Sequence, residues 1–173
     1  MEKPQRVKNK SEVILSEIIN SFNDCFDRLQ KKPVNISVAL SGGVDSIVLL
    51  HSLSRLKAKL KLKLNAIHIH HDLSPNADDW LTFCYNECQK LNITIKSEKI
   101  NIKQDLSMGI EAAARKSRYQ VLEIYRKGIL ALGHHQNDQA ETLMLQLFRG
   151  SGLSGLAAMP TFDRERFIWR PLL

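Results

Sequence analysis

Apolar positions from Ser11 to Leu29 (Val13, Ile14, Ile18, Phe22, Phe26, Leu29) recur at helical spacing, with Glu12, Glu17 and Asp24 on other faces, which predicts an amphipathic helix. After a Lys-Lys-Pro break the short run Asn35 to Leu40 leads directly into Ser-Gly-Gly, the pattern of a buried strand ending in a tight turn. Ile47, Val48, Leu50 and Leu53 return to helical spacing. Residues 57–63 alternate Lys with Ala or Leu, which predicts an exposed edge, lysines to water, entering a second strand over Leu64 to His70. A turn-rich loop from His71 to Asn76 precedes a helix whose apolar stripe carries Trp80, Leu81, Phe83, Cys84, Cys88 and Leu91. Ile93 to Ile95 reads as a third strand, and a helix from Glu111 to Arg126 follows a polar loop containing Gly109. Gly128 to Gly133 makes a fourth buried strand, and a last helix starts near Asn137, carries Leu143, Leu145, Leu147 and Phe148, and is broken by the glycines between Gly150 and Gly155.

Short continuous apolar strands alternating with helices predict an α/β fold: a doubly wound, mostly parallel, Rossmann-like sheet with helices on both faces. In such sheets ligands sit beyond the carboxyl ends of the strands, so residues just after strands are the ones to examine. The 173 residues make one domain of ordinary size, and 43% apolar with 25% charged residues exclude a disordered chain. No apolar run approaches the roughly 20 residues of a membrane span and no signal-like stretch opens the chain, so the expectation is no membrane and the cytoplasm. Three cysteines without a C-x-x-C pair read as buried thiols. The net charge of +7 is concentrated in residues 1–63, which hold 12 Lys+Arg against 6 Asp+Glu. That asymmetry suits a nucleic-acid partner and equally a solubilising surface.

Three places after strands carry candidate chemistry. In Ser41-Gly42-Gly43-Val44-Asp45-Ser46 two glycines permit close ligand approach, and the following helix offers unpaired N–H groups to an anion. The loop is neither a Walker loop nor the G-x-G-x-x-G fingerprint. A carboxylate within an anion site makes electrostatic sense when a cation is also bound, so Asp45 points to Mg²⁺ bridging to phosphates; the alternative is a glycine turn with Asp45 as a first-turn dipole partner. His134 and His135 follow the fourth strand, and Asp138 and Glu141 share a helix face, able to address a metal or an ammonium group, or simply to cap the helix. Glu111, Arg115 and Arg118 lie four and three apart on their helix, either as surface pairs or as a phosphate grip. His68, His70 and His71 alternate at a strand end without the cysteine or glutamate that would complete a zinc site.

The loop resembles the S-G-G-x-D-S pyrophosphate-binding loop of the N-type ATP pyrophosphatases, the PP-loop superfamily. Within that superfamily, His70 to Ala77, Gly109 to Tyr119, His134 to Thr142, Arg149 to Leu156 and Arg170 to Leu173 are similar to the tRNA(Ile)-lysidine synthetase family. The resemblance implies an adenine nucleotide alpha hydrolase-like fold and an enzyme that uses ATP and Mg²⁺ to adenylate C2 of the wobble cytidine in tRNA(Ile) with a CAU anticodon. L-lysine then displaces AMP to form lysidine. On that reading Ser41, Gly42, Gly43, Val44, Asp45, Ser46, His70 and His134 contact the nucleotide, Asp45 and Asp138 hold the metal, and Asp45, Asp138 and Arg115 serve catalysis. Asp72 and Ser74 are further candidates for adenosine contacts. The family commonly has two acidic residues where this chain has Asn137-Asp138, leaving the metal role to Asp138. Family members are longer, so residues 1–173 are expected to be one PP-loop domain without the C-terminal tRNA-binding modules, of low activity in isolation. A homodimer is compatible with the sequence, which does not fix the state of assembly. The rival readings are a tRNA thiolase of the same superfamily, which calls for paired cysteines or an iron–sulfur cluster, and an RNA-binding module without turnover.

Overall fold

The computed structural model describes residues 9–26, 35–70, 76–100, 110–152 and 157–173, the side chains of 110–114 excepted. Leu29, His71, Asp72, Ser74, Gly109 and the 153–156 segment therefore lie outside the described residues, as does the Glu111 side chain. Eleven elements follow in order: α1 (Lys10–Phe26), β1 (Asn35–Ala39), α2 (Val44–Leu56), β2 (Lys63–His70), α3 (Ala77–Lys90), β3 (Thr94–Lys99), α4 (Ile110–Tyr125), β4 (Ile129–Ala131), α5 (Gln136–Phe148), β5 (Phe162–Asp163) and β6 (Ile168–Trp169). They form a six-stranded sheet of order β3-β2-β1-β4-β6-β5. All neighbours are parallel except the β5–β6 pair. The doubly wound α/β architecture expected from the alternation is the one observed.

Continuous apolar runs become central strands because both sheet faces are covered. On one face Ile36, Val38 and Ala66 pack with Leu49, Leu50 and Leu53 of α2, Cys84 and Cys88 of α3 and Ile18, Phe22 and Phe26 of α1. On the other, Ile67, Leu130, Leu132 and Ile168 pack with Leu122 of α4. Each fully buried aliphatic side chain of this kind contributes on the order of 1.5–3 kcal/mol. α1 is closed down by an edge-to-face aromatic cluster, with Phe22 and Phe26 at 5.7 and 5.5 Å from Trp169. The Trp169 indole N–H donates to Ser21 Oγ at 3.0 Å.

Three sequence expectations are corrected. The Lys/Ala/Leu alternation is a turn after α2 rather than a strand entry: Lys61 adopts φ 53°, Leu62 is buried, and β2 lies inside the sheet between β1 and β3. Its lysines do face solvent. On α3 the buried residues are Ala77, Cys84, Glu87 and Cys88, whereas Trp80 and Phe83 are 50% and 42% exposed. α5 buries none of its residues, and Leu143, Leu145, Leu147 and Phe148 are exposed. The β5–β6 pair adds two strands to the four expected. Among the described residues no helix is long and apolar enough to cross a membrane.

Candidate nucleotide site

The strand order reverses at β1, whose neighbours β2 and β4 continue in opposite directions, and that switch point opens a crevice at the carboxyl ends of the strands. Ser41 to Gly43 lie directly above it. Gly42 takes φ 89°, a conformation a side chain resists, and a Cβ there would meet Cys84 Sγ at 3.4 Å and Trp80 Cβ at 3.6 Å. Gly43 is the N-cap of α2 and provides no side-chain cap, so the first N–H groups of α2 are left for an external acceptor. The two serines are tied into the loop: Ser46 Oγ donates to the Gly43 carbonyl at 2.8 Å, Ser41 Oγ donates to Ser46 Oγ at 3.1 Å, and Gly43 N–H donates to Ser41 Oγ at 3.2 Å. Val44 and Asp45 project to solvent at the mouth.

β4 brings the second group. Gly133 follows it, and a Cβ there would lie 3.0 Å from Asp45 C and 3.1 Å from Ser46 N, so this position presses backbone to backbone against the loop. His135 is the N-cap of α5: its Nδ1 accepts from Asn137 N–H at 3.2 Å, while its own N–H donates to Asp138 Oδ2 at 2.8 Å. Its Nε2 lies 3.6 Å from Asp45 Oδ2. The carboxylates of Asp45 and Asp138 thus flank one imidazole. The capping alternative for Asp138 is realised, yet only one of its oxygens is engaged by the cap. His135, absent from the expected contact set, is the residue that joins the two expected carboxylates. Its signal in the sequence was its place immediately before a helix start, which an N-cap must occupy.

His134 turns the other way. Its Nδ1 accepts from Arg170 Nε at 3.3 Å, and burial followed by the Arg170 charge lowers its pKa, with Arg115 and Arg118 adding to the effect. Arg115 stacks over Tyr119 with its guanidinium 5.5 Å from the ring centroid. The expected Arg115 and His134 are therefore neighbours on the α4 side, while Asp45 of α2 and Asp138 of α5 meet the two nitrogens of His135. At the end of β2, His70 is buried with its Nε2 3.0 Å from Asp78 Oδ1, and its Nδ1 has no hydrogen-bond partner. His68 Nδ1–H donates to the Leu40 carbonyl at 2.8 Å.

Among the described residues no group of three or more His, Cys, Asp or Glu side chains is placed to hold a metal. Mg²⁺ characteristically takes one or two carboxylates and completes its shell with water and substrate phosphates, so Asp45 and Asp138, one beside each nitrogen of His135, are the carboxylates that would hold such an ion, and they are too few for a structural metal. Burial pushes the Cys84 thiol up to about 12 and the Cys88 thiol to about 11, the state of protonated core thiols. That donor set does not fit an iron–sulfur cluster.

A glycine loop with a free helix N-terminus, at a parallel-sheet switch point and with His135 between the carboxylates of Asp45 and Asp138, coincides with a match to the PP-loop domain over residues 10–173. The chain belongs to the PP-loop family of ATP-binding domains. Among curated relatives, the tRNA(Ile)-lysidine synthase of Neisseria meningitidis serogroup B is 48% identical over 156 residues, covering 88% of this chain and 36% of the relative. That of Actinobacillus pleuropneumoniae serotype 3 is 50% identical over 143 residues, covering 80% and 33%. The chain spans about a third of the length of these relatives. Two solved structures share the fold: a U34-tRNA thiolase, NcsA, from Methanococcus maripaludis with its [4Fe-4S] cluster (TM-score 0.66, 20% identity, 93% of this chain and 60% of that one) and an NH3-dependent NAD synthetase from Campylobacter jejuni (TM-score 0.57, 19% identity, 95% and 68%). The PP-loop motif from Ser41 to Ser46 thus sits in the fold that the sequence called for.

Proposed function

We propose that this PP-loop domain binds Mg²⁺-ATP and is the catalytic domain of a cytoplasmic tRNA(Ile)-lysidine synthase, which joins L-lysine to C2 of the wobble cytidine of tRNA(Ile) bearing a CAU anticodon. The observation that carries this is the pairing of the loop with the Asp45–His135–Asp138 group, in a chain close to half identical to synthases over most of its length.

In this reading the free N–H groups at the start of α2 and the Ser41 and Ser46 hydroxyls receive the β- and γ-phosphates, the hydroxyls exchanging their loop-internal bonds for phosphate oxygens. Asp45 and Asp138 would hold Mg²⁺, which supplies charge neutralisation as pyrophosphate leaves. The unpartnered Nδ1 of His70, buried at the end of β2, is an acceptor suited to an N–H or O–H of the adenosine moiety. Arg115 and Arg118, exposed on α4 and facing His134, are placed to grip a phosphodiester of the tRNA. Glu141, exposed one turn after Asp138, suits the lysine ammonium. The buried, protonated state of Cys84 and Cys88 weighs against the thiolase alternative.

The test has two arms. Calorimetric titration with a non-hydrolysable ATP analogue and Mg²⁺ shows one site that is lost on Ser46→Ala/Asp45→Asn double substitution. A chimera carrying this chain in place of the matching segment of the Neisseria synthase produces a lysine-sized mass gain in a tRNA(Ile) transcript, with ATP and lysine present, and loses it on Asp45→Asn. Tight nucleotide binding by a folded chimera that never modifies tRNA would leave a nucleotide-binding module and overturn the synthase reading.

A further inference from the structure

Arg170 is a buried cation with no carboxylate at salt-bridge distance among the described residues. It follows β6 and is only 6% exposed. Its backbone N–H donates to the Thr161 carbonyl at 2.8 Å, its Nη1 to the Pro160 carbonyl at 2.8 Å and its Nε to His134 Nδ1 at 3.3 Å. Buried guanidinium groups are ordinarily neutralised by an anion, because desolvation of the charge is otherwise uncompensated. The side chains that it hydrogen-bonds among the described residues are neutral acceptors, the His134 imidazole nitrogen and the Tyr119 hydroxyl, while the Asp163 charge acts on it from farther away.

The consequence lies on His134. A guanidinium has no lone pair to offer, so the nitrogen facing it must be the unprotonated one, and the proton of a neutral His134 must be on Nε2. His134 is half-buried, and no hydrogen bond of its Nε2 is found among the described residues, which leaves this N–H for a ligand. The charges around the ring are Arg170 after β6, Arg115 and Arg118 on α4 and Asp138 on α5. Three cations against one carboxylate favour the neutral ring, whose single N–H is then a fixed donor.

We infer that Arg170 is a positioning residue of the nucleotide site: anchored by Pro160 and Thr161 at the end of β6, its guanidinium locks the His134 imidazole as the Nε2–H tautomer and aims that donor at an oxygen of the bound nucleoside triphosphate. The inference rests on the ATP-binding reading above for its ligand, while the tautomer itself is a property of the free protein. Strand β6 thereby does more than extend the sheet. It sets the protonation geometry of a residue just past β4, and the parallel bridge of His135 to Leu172 holds the two chain segments in register beside it.

The decisive measurement is nitrogen-15 NMR of histidine-labelled protein without nucleotide, at a pH above the histidine range. Wild type is expected to show His134 with a pyridine-type Nδ1 and a pyrrole-type Nε2. Arg170→Met, with Arg170→Gln as the second variant should methionine unsettle β6, is expected to give a mixture of tautomers while Trp169 fluorescence stays that of a buried indole. In parallel, affinity for a non-hydrolysable ATP analogue falls about tenfold in Arg170→Met and in His134→Phe, and no further in the double variant. A wild-type proton on Nδ1, an unchanged tautomer in a folded Arg170 variant, or independent additive losses in the double variant would each overturn the inference. Absence of any nucleotide binding by wild type would instead overturn the ATP reading and leave the NMR result to judge the tautomer.

Discussion

Substituting Gly133 by alanine tests whether the end of β4 sets the position of the phosphate loop. The added Cβ would sit 3.0 Å from Asp45 C, 3.1 Å from Asp45 O and 3.1 Å from Ser46 N. Ordinary contacts of this kind are several tenths of an ångström longer, and every atom it meets is backbone, so no side chain can rotate away. Either β4 or the first turn of α2 must move, and both are held: β4 by β1 and β6, α2 by the buried Leu49, Leu50 and Leu53. Overpacking of this sort costs about 1–3 kcal/mol. The loss of glycine freedom in the unfolded chain offsets about 0.4–1 kcal/mol. A net loss of about 1–2 kcal/mol is therefore expected, seen as a Tm lower by roughly 2–8 °C for a chain of this size. The diagnostic effect is functional. The displaced atoms are those of Asp45 and Ser46, so affinity for Mg²⁺-ATP should fall by more than about tenfold at temperatures where the variant is fully folded. Gly152→Ala, where an added Cβ meets nothing within 4 Å, is the matched control and should change neither quantity. Thermal unfolding and calorimetric titration of the two variants provide the comparison. A Gly133→Ala protein that binds nucleotide like wild type would refute the claim that the loop is seated on β4.

Gly128→Ala should be harsher but remote in effect: its Cβ would fall 2.3 Å from the Asn35 carbonyl at φ 70°, so a loss of about 2 kcal/mol or more in urea unfolding is expected, with nucleotide affinity retained in whatever fraction folds. Trp169→Ala removes a fully buried indole from the aromatic cluster with Phe22 and Phe26 and should cost about 3–5 kcal/mol, measured by chemical denaturation. Stability should also fall on acidification. Burial holds the pKa of His68 below the ordinary histidine value, so the unfolded chain binds the extra proton first. The stabilisation is therefore complete above that value, is lost as pH drops from about 7 to 5, and is reduced in slope by His68→Gln. Glu87 behaves as a second, more acidic element: hydrogen bonds from Lys90 and His51 hold its carboxyl below the usual range, so its contribution persists above about pH 4.5 and disappears below it, a phase that Glu87→Gln should abolish.

What the sequence made legible was location, and what it concealed was phase. Ser41 to Ser46 could be placed because a buried apolar run, two glycines and a helical run admit one arrangement: strand, tight turn, helix with a bare N-terminus. The switch point followed from the alternation of elements, and the order observed around β1 is what makes it one. Two adjacent histidines at the end of β4 are a different kind of problem. Consecutive residues leaving a strand point to opposite sides, so one of His134 and His135 must face the loop and the other must not, and their types alone cannot say which. In the structure His135 faces Asp45 and His134 faces Arg170, which comes in from β6 beside β4. The second of those contacts depends on β6, a strand of two residues with no periodicity to read, brought beside β4 from the far end of the chain. Trp80 was misjudged for a related reason. It shares the stripe of Cys84 and Cys88 at helical spacing, but it sits against Gly42 of the loop rather than in the core, and it is half exposed. Trp80 and Cys84 are the α3 side chains nearest Gly42, so the position where periodicity fails as a guide to the core is also a wall of the site.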